Sequence, residues 1–571
     1  MSHVDWIVLV LTLLGIIAYG LYKGRTSRNL DGYFLCNRQV PWYMVLLGIM
    51  GTQASAVTFL SAPGQAYTEG MGFVQYYFGL PLAMVVLCVT FVPVFHRLKV
   101  YTAYEFLEQR FDLKTRALTS FLFLLQRGLS TGISISAPSI ILSSLLGWDI
   151  TWTNIFMGGL VIIYTVTGGA KAVAYTQQLQ LIIIFSGMFI AGYMVVHKLP
   201  PHIGLTEALH IGGKAGKLNI ITTGVNAKGF DWNDKYNLLS GIIGGFFLAL
   251  SYFGTDQSQV GRYLTARSVS ESRLGLLLNG LVKVPMQFLI LLLGVLVFAF
   301  YQYNHEPVFF NQSQLDLLAK SKYRDSLVIV EKAYDKAEAL RVAAVSSAAP
   351  GTDPSRILAA EKEKTLYKST IKRWLNDKDV GGDGNDTNYI FLRFVTDYLP
   401  KGLVGLLIAV IFLAAWGSIA ATLNSLASCT IVDFHKRFSR QSLSEEREFR
   451  LSRLYTFFWG AFCVAVAQLA YNLGNSLIEA VNVLGSLFYG VILGIFLVAF
   501  YRKKVGATAV FTSALIIETG VIILNILNKK GIIHLSFLWF NVVGAIGVVL
   551  LSEVLQPFMK KGPTKPGPLQ V

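Results

Sequence analysis

Charge is scarce in this chain. Of its 571 residues only 14% are Asp, Glu, Lys or Arg, while 53% are hydrophobic. A soluble domain of this length carries about a quarter charged residues, so the composition argues against a soluble globular protein. Cysteine is scarcer still. Cys36, Cys88, Cys429 and Cys463 lie mostly inside apolar runs, which leaves neither a disulfide framework nor a thiolate metal site. No phosphate-cradling P-loop is present, which speaks against ATP-driven transport, and no nucleophile–base motif supports an enzyme. His435 and the other histidines show no metal spacing. The first apolar run, Trp6 to Leu21, lacks a basic n-region and reads as a retained helix rather than a cleaved signal.

What the chain does have is long apolar runs. Segments of 18 or more residues recur throughout, which predicts an all-α polytopic membrane protein with about thirteen transmembrane helices. Continuous rather than alternating hydrophobicity argues against a β-barrel. The net charge of +16 is explained by loop charge rather than by nucleic-acid binding, and no obligate protein partner is evident. Every second connection is basic, including YKGRTSRNLDGYFLCNRQ, GRYLTARSVSESR, DFHKRFSRQSLSEEREFRLSR, YRKK and the tail MKKGPTKPGP. The loops between them, YTEGMG, LGWD and LGN, carry little positive charge. This pattern places the N-terminus outside and the C-terminus in the cytoplasm; NKKG at 528–531 is the one outward loop with two lysines. Two longer outward segments remain, a Gly-rich one at 199–237 and an insertion at 304–388. The insertion has helical composition over Gln314–Ala348 and Ser355–Asn376 and reads as a small helical cap or spacer. It carries one sequon at Asn311, and a second, at Asn385, follows in GGDGNDT.

The stretch GTQASAVTFLSAPG, Gly51 to Gly64, is too polar and too small for a lipid-facing helix. The segment GIIGGFFLALSYFGTDQ answers it two hundred residues later. Small residues there fit close helix packing. They equally fit a pair of interrupted helices, each opening a group of five spans, which marks an inverted-repeat secondary transporter. A helix break within the membrane is tolerated where it lines a cavity.

Four ordered motifs carry a resemblance. They are YTAYEFLEQRF at 101–111, TGGAKAVAYTQQLQ at 167–180, DQSQVGRYLTARSVSESRLG at 256–275 and ATLNSLASCTIVDFHK at 421–436. At this spacing the chain resembles the sodium–solute symporter family over nearly all its length except 304–388. The resemblance implies a LeuT-like 5+5 inverted-repeat core with one helix in front and two behind. Its divisions would be an extra helix and basic loop at 1–40 and a first repeat at 41–198. The outward loop 199–237 separates these from a second repeat at 238–500, interrupted by 304–388, and two last helices and a tail fill 501–571.

The resemblance also implies a site. Sodium would be held by backbone carbonyls at Gly51 and Ala54 and by the later helix at Ala414, Gly417 and Ser418. Many members have two adjacent hydroxyls there; here the first is Gly417. Members with a second sodium use an Asp where this chain has Gln177 and extra serines where it has Ile419, Ala420 and Ala421, so one sodium per cycle is expected. The positions matching the sugar ligands of galactose carriers are Tyr77, Thr58 and Ala249, and Lys283 matches a family lysine near the sugar. Sialic acid carriers place an arginine like Arg127 against the solute carboxylate, with hydroxyls like those of Ser55 and Thr58 on the broken helix. An arginine at mid-membrane costs about 2.5–3.5 kcal/mol on insertion scales and needs a partner or a cavity; Arg127 also fits a residue snorkelling inward from a helix end. Tyr252 matches an inner-gate aromatic, or packs. Asp256 stands where relatives carry Asn and either caps a helix or titrates.

The expected function is therefore sodium-coupled import of a small organic solute across the plasma membrane by alternating access, with Na+ as the coupling ion. An anionic, carboxylate or sialic-acid-like solute is the first reading. A sugar or polyol symporter and a proton-coupled carrier are the alternatives. A sensor is disfavoured because no kinase or receiver module follows the last span, and a channel would not need paired broken helices.

Overall fold

The computed structural model describes residues 1–24, 30–227, 229–346, 354–439, 444–469 and 477–559. The expected LGN loop at 473–475 lies outside them, as do parts of the basic loops at 25–29 and 440–443, the end of the first insertion segment, and most of the tail.

Fifteen helices carry the argument. The chain opens with α1 (His3–Gly24), then α2 (Trp42–Gln53) and α3 (Ala56–Glu69). A composite span follows over Met71–Leu98, made of 3-10, α and π turns. Next come α4 (Leu113–Leu146), α5 (Ile150–His197), α6 (Gly245–Thr255), α7 (Gln257–Leu264) and α8 (Val269–Tyr303). The insertion supplies α9 (Arg324–Ser346) and α10 (Pro354–Leu375). The chain continues through α11 (Leu403–Cys429), α12 (Glu445–Leu469), α13 (Leu477–Tyr501), α14 (Ala507–Lys529) and α15 (Leu538–Leu555). Among the described residues one two-stranded pair, Val225–Asn226 against Gly229–Phe230, interrupts the helical pattern.

Nine helices among the described residues are long and apolar enough to cross a membrane, or ten with the bent pair α2 and α3. Their burial sorts them. The apolar window of the span beginning with α11 is 89% buried, against 22% for α1 and 28% for α14. So α11 is the central post, and the other two turn most of their surface outward, where apolar side chains suit lipid. Glycines set the close approaches. A Cβ at Gly405 on α11 would lie 2.1 Å from the Asp5 carbonyl oxygen of α1, and one at Gly132 on α4 would lie 2.5 Å from Val466 of α12. In the middle of α5 the backbone turns at Gly169 (φ 60°, ψ −170°). A side chain there would be strained and would also meet the Tyr33 ring at 2.6 Å.

Two helices break inside the bundle. The helices α2 and α3 meet at 60°, with Ala54 (ψ 74°) and Ser55 (ψ 172°) out of helical conformation. The helices α6 and α7 part at Asp256 (ψ 116°), whose side chain caps α7 by accepting from Ser258 N–H at 2.8 Å.

Candidate solute and sodium site

The break between α2 and α3 changes which carbonyls are free. In an unbroken helix the amides of Ser55 and Thr58 would bond the carbonyls of Gly51 and Ala54. Instead Ser55 N–H donates to Gln53 O at 3.0 Å and Thr58 N–H donates to Ser55 O at 2.9 Å. The two carbonyls expected to hold sodium are thus among those that lose their helical partners at the break. A hard cation wants such oxygens.

The opposite partner is α11. The Ser418 hydroxyl donates to Ala415 O at 3.0 Å, which leaves its lone pairs available. Thr422, one turn on, donates to Ser418 O at 3.0 Å. Ala414 and Gly417 are buried on the same helix. Between the helices sits Gln177 of α5, whose Nε2 donates to Gly417 O at 3.1 Å and to Thr52 Oγ1 at 3.3 Å. Side chains of α5 account for two glycines. A Cβ at Gly51 would lie 3.0 Å from Gln177 Cγ, and one at Gly417 would lie 2.6 Å from Gln180 Oε1. A side chain at Gly417 therefore has room only if the end of Gln180 moves.

Above this junction opens a cavity enclosing about 990 Å³. Of the residues expected at the solute site, Ser55, Thr58, Tyr77 and Arg127 line it, as do Tyr252, expected at the inner gate, and Ser418, expected at the sodium site. Lys283 is not among the lining residues. It is fully buried on α8, its Nζ lies 5.4 Å from the centre of the Tyr77 ring, and it has no hydrogen-bond partner among the described residues. Thr52, Tyr76, Thr131, Thr422, Asn482 and Tyr489 also line the cavity and had not been expected. Thr422 was within reach of sequence reasoning as the residue four after Ser418. Asn482 and Tyr489 of α13 carry no local signal.

Arg127 is 9% exposed and turned to this cavity. Its Nε lies 3.5 Å from Asp256 Oδ2, its NH2 lies 3.5 Å from the Tyr252 hydroxyl, and its carbon Cζ stands 5.4 Å from the centre of that ring. Asp256 is further held by the Tyr489 hydroxyl, which donates to Oδ2 at 2.8 Å, and by the Ser258 hydroxyl at 2.6 Å on Oδ1. Gln259 Nε2 donates to the Tyr252 hydroxyl at 2.7 Å. The second helix break, the arginine and the gate tyrosine are thus one connected polar group beneath the cavity's hydroxyls.

Two broken helices, carbonyls released at one of them, and a central cavity holding an arginine and several hydroxyls describe a multi-pass membrane carrier rather than a catalyst. The profile of the Sodium:solute symporter family matches residues 33–316 and 358–517, more than half of the chain, and the chain belongs to that family. It is a sodium-coupled symporter of a small solute. It is similar to the sodium/sialic acid symporter SiaT of Proteus mirabilis, 24% identical over 97% of this chain and 95% of that one. The sodium/sialic acid symporter NanT of Aliivibrio fischeri is also 24% identical, over 97% of this chain and 93% of its own. The human sodium-coupled monocarboxylate transporter 1 is 26% identical over 86% of this chain and 68% of its own. In fold, the chain superposes on a solved sodium-coupled sialic acid symporter, substrate-bound and outward-open, with a TM-score of 0.75 at 22% identity, covering 99% of each chain. The fold is all-α, polytopic and related to the LeuT-like transporters.

Proposed function

We propose that this chain imports an organic anion bearing a carboxylate, with one sodium per cycle. The observation that carries the reading is Arg127, a guanidinium in the wall of the central cavity that also holds Ser55 and Thr58. Arg is suited to planar carboxylates through paired N–H donors, and hydroxyls suit the rest of a polyhydroxylated acid. The named relatives that carry sialic acid and monocarboxylates point the same way. Gly51, Ala54, Ala414 and Ser418 form the sodium site, with Gly417 contributing its small size. Gln177 offers an amide N–H where a second cation would need a carboxylate, which favours the single-sodium stoichiometry. Tyr77 forms a wall of the solute site with Lys283 behind it, and Tyr252 is the inner gate.

Sodium on these ligands ties α2 to α11 and favours the state open to the outside. Solute then favours closure, because each ligand binds one state better than the other. We read thirteen spans. They are the ten of length and composition, the division of α5 at Gly169, the broken helix α6–α7 and α12. Residues 41–198 and 238–500 then form the two five-span repeats, with 199–237 and 304–388 outside, 1–40 before and 501–571 after. The N-terminus lies outside and the C-terminus in the cytoplasm of the plasma membrane.

The test is sodium-driven uptake into proteoliposomes of labelled sialic acid, a monocarboxylate and a hexose, with Arg127→Ala beside the wild type. Uptake of an acid that falls about a hundredfold or more in Arg127→Ala, the loss of roughly 3 kcal/mol of a charge-assisted contact, supports the reading. Uptake of the hexose with an indifferent Arg127→Ala overturns it.

A further inference from the structure

A second, smaller cavity lies on the other side of the α6–α7 break from the central one. It is a narrow cleft between α7 and the lower part of α11. The two cavities share α11. Ser418 and Thr422 face the upper one, and Asn424, Ser425 and Ser428 face the lower one. The lower cavity also holds Arg262 of α7.

Arg262 is unlike the other buried arginines, of which Arg110 has no ion pair among the described residues either but donates to the carbonyls of Arg502, Lys503 and Val505. Arg116 pairs with Asp433 at 2.6 Å, Arg341 with Glu338 at 2.7 Å, and Arg127 with Asp256 at 3.5 Å. Arg262 is only 6% exposed, yet among the described residues its guanidinium makes no ion pair and donates no hydrogen bond. The titratable groups that face it are the Cys36 thiol and the Tyr164 phenol, neither of which is an anion at neutral pH. A cation withdrawn from water without a counter-charge is costly and is tolerated where a ligand offsets it. Beside it the Asn424 amide is buried with both Nδ2 and Oδ1 unpartnered. The position is one helical turn below the sodium carbonyls. A Cβ at Gly48 would lie 3.7 Å from Arg262 Cδ and 3.9 Å from Gln177 Oε1.

We propose that Arg262, with Asn424 and the Ser425 hydroxyl, forms a release subsite for the carboxylate of the transported solute on the cytoplasmic side of the gate. The proposal rests on the anionic-solute reading above. A carboxylate leaving Arg127 as the α6–α7 break rearranges would meet a second guanidinium, with amide and hydroxyl groups for its remaining lone pairs, before reaching cytoplasmic water. The cleft has room for about one water in this structure, so the carboxylate enters it only as the α6–α7 break rearranges.

The test does not require the solute to be known. The full chain with Cys36→Ser and Ser425→Cys is reconstituted and treated from each side with anionic and cationic methanethiosulfonate reagents. Cys88, Cys429 and Cys463 are buried. Rates are normalised to those of a free thiol. From the cytoplasmic side the anionic reagent is expected to react about fivefold or more faster than the cationic one, as a locally positive cleft concentrates anions. Arg262→Gln should bring the ratio to near unity, and Arg262→Lys, which keeps the charge, should retain most of it. A ratio near one with Arg262 intact, the same ratio in Arg262→Gln, or no cytoplasmic-side labelling overturns the subsite. Failure of any acid to be transported would sink the reading it rests on, and the thiol ratio would still decide whether Arg262 makes an anion-selective exit.

Discussion

On the proposed reading, two carboxylates would compete for the Arg127 guanidinium. Asp256 already lies 3.5 Å from Nε, so an incoming acid must share the charge with it. Removing that competitor should help the solute. Asp256→Asn keeps a hydrogen-bonding side chain at the break, where it can still face Tyr489 and Ser258. It is expected to lower KM for the transported acid roughly tenfold, the equivalent of ~1.4 kcal/mol, in initial-rate uptake. A raised KM would mean that Asp256 positions Arg127 rather than competes for it. Gly417 supports a second prediction. Restoring the paired hydroxyls with Gly417→Ser should not strengthen sodium binding, because the new Cβ lies 2.6 Å from Gln180 Oε1. Overpacking of this kind costs about 1–3 kcal/mol. The melting temperature should fall, and Gln180→Ala in the same chain should recover it. At this scale the sequence singled out Arg127 as a cation in an apolar run, and the family resemblance named Ser55, Thr58 and Ser418 as candidates beside it. It did not reveal why Gly417 is glycine, because the side chain that fills its space comes from α5, more than two hundred residues away.

Among the elements, α1 is the least buried of the bundle, yet it is fastened at one end. Asp5 Oδ1 accepts from Gly402 N–H at 2.5 Å and from Gly405 N–H at 3.3 Å, so an aspartate of α1 caps the N-terminus of α11. Those amides have no partners inside their own helix, and the carboxylate also suits the positive end of the helix dipole. Asp5→Ala should cost about 1–2 kcal/mol, read as a lower melting temperature by scanning fluorimetry in nanodiscs. The effect should be matched by Asp5→Asn only in part, since the charge is lost but an acceptor remains. Hydropathy identified α1 as a span; nothing in its pattern indicated that its first turn caps a helix beginning almost four hundred residues later.

In the molecule as a whole, the insertion is joined to the bundle by buried charge. Glu306, just beyond α8, accepts from the Tyr67 hydroxyl of α3 at 2.5 Å and pairs with Lys368 at 2.5 Å and Lys364 at 2.9 Å. Lys364 also pairs with Glu338 at 2.8 Å, and Glu338 with Arg341 at 2.7 Å. Burial by itself would push the Glu306 carboxyl up, yet Lys368 and Lys364 hold it well below its ordinary value of 4.5. A carboxylate so depressed contributes stability that is fully present above 4.5 and lost only as pH falls through its lower folded value. Glu306→Gln leaves buried lysines unpaired and should destabilise by about 3–5 kcal/mol. The gap in melting temperature from wild type should be constant between pH 7 and about pH 5.5 and should narrow only in more acid solution. A gap that closes already at pH 6 would mean that the pair is not what holds the insertion.

The sequence by itself determined that this is a helical membrane protein, and its loop charges and ordered motifs pointed to its family. Those properties are carried by composition, run length and local spacing, which need no partner to be read. The resemblance carried by those motifs also named Gly51 and Ala54 as candidate sodium ligands, whereas their small size alone fitted close helix packing equally well. Only the tertiary structure decided which groups meet. It set Asp256 beside Arg127, placed Gln177 between α2 and α11, put Lys283 behind Tyr77 instead of in the cavity, and left Arg262 without a counter-ion among the described residues. Each of these is a distance between residues remote in sequence, and in a low-dielectric interior such distances decide whether a charge is paired, competed for or open to a ligand.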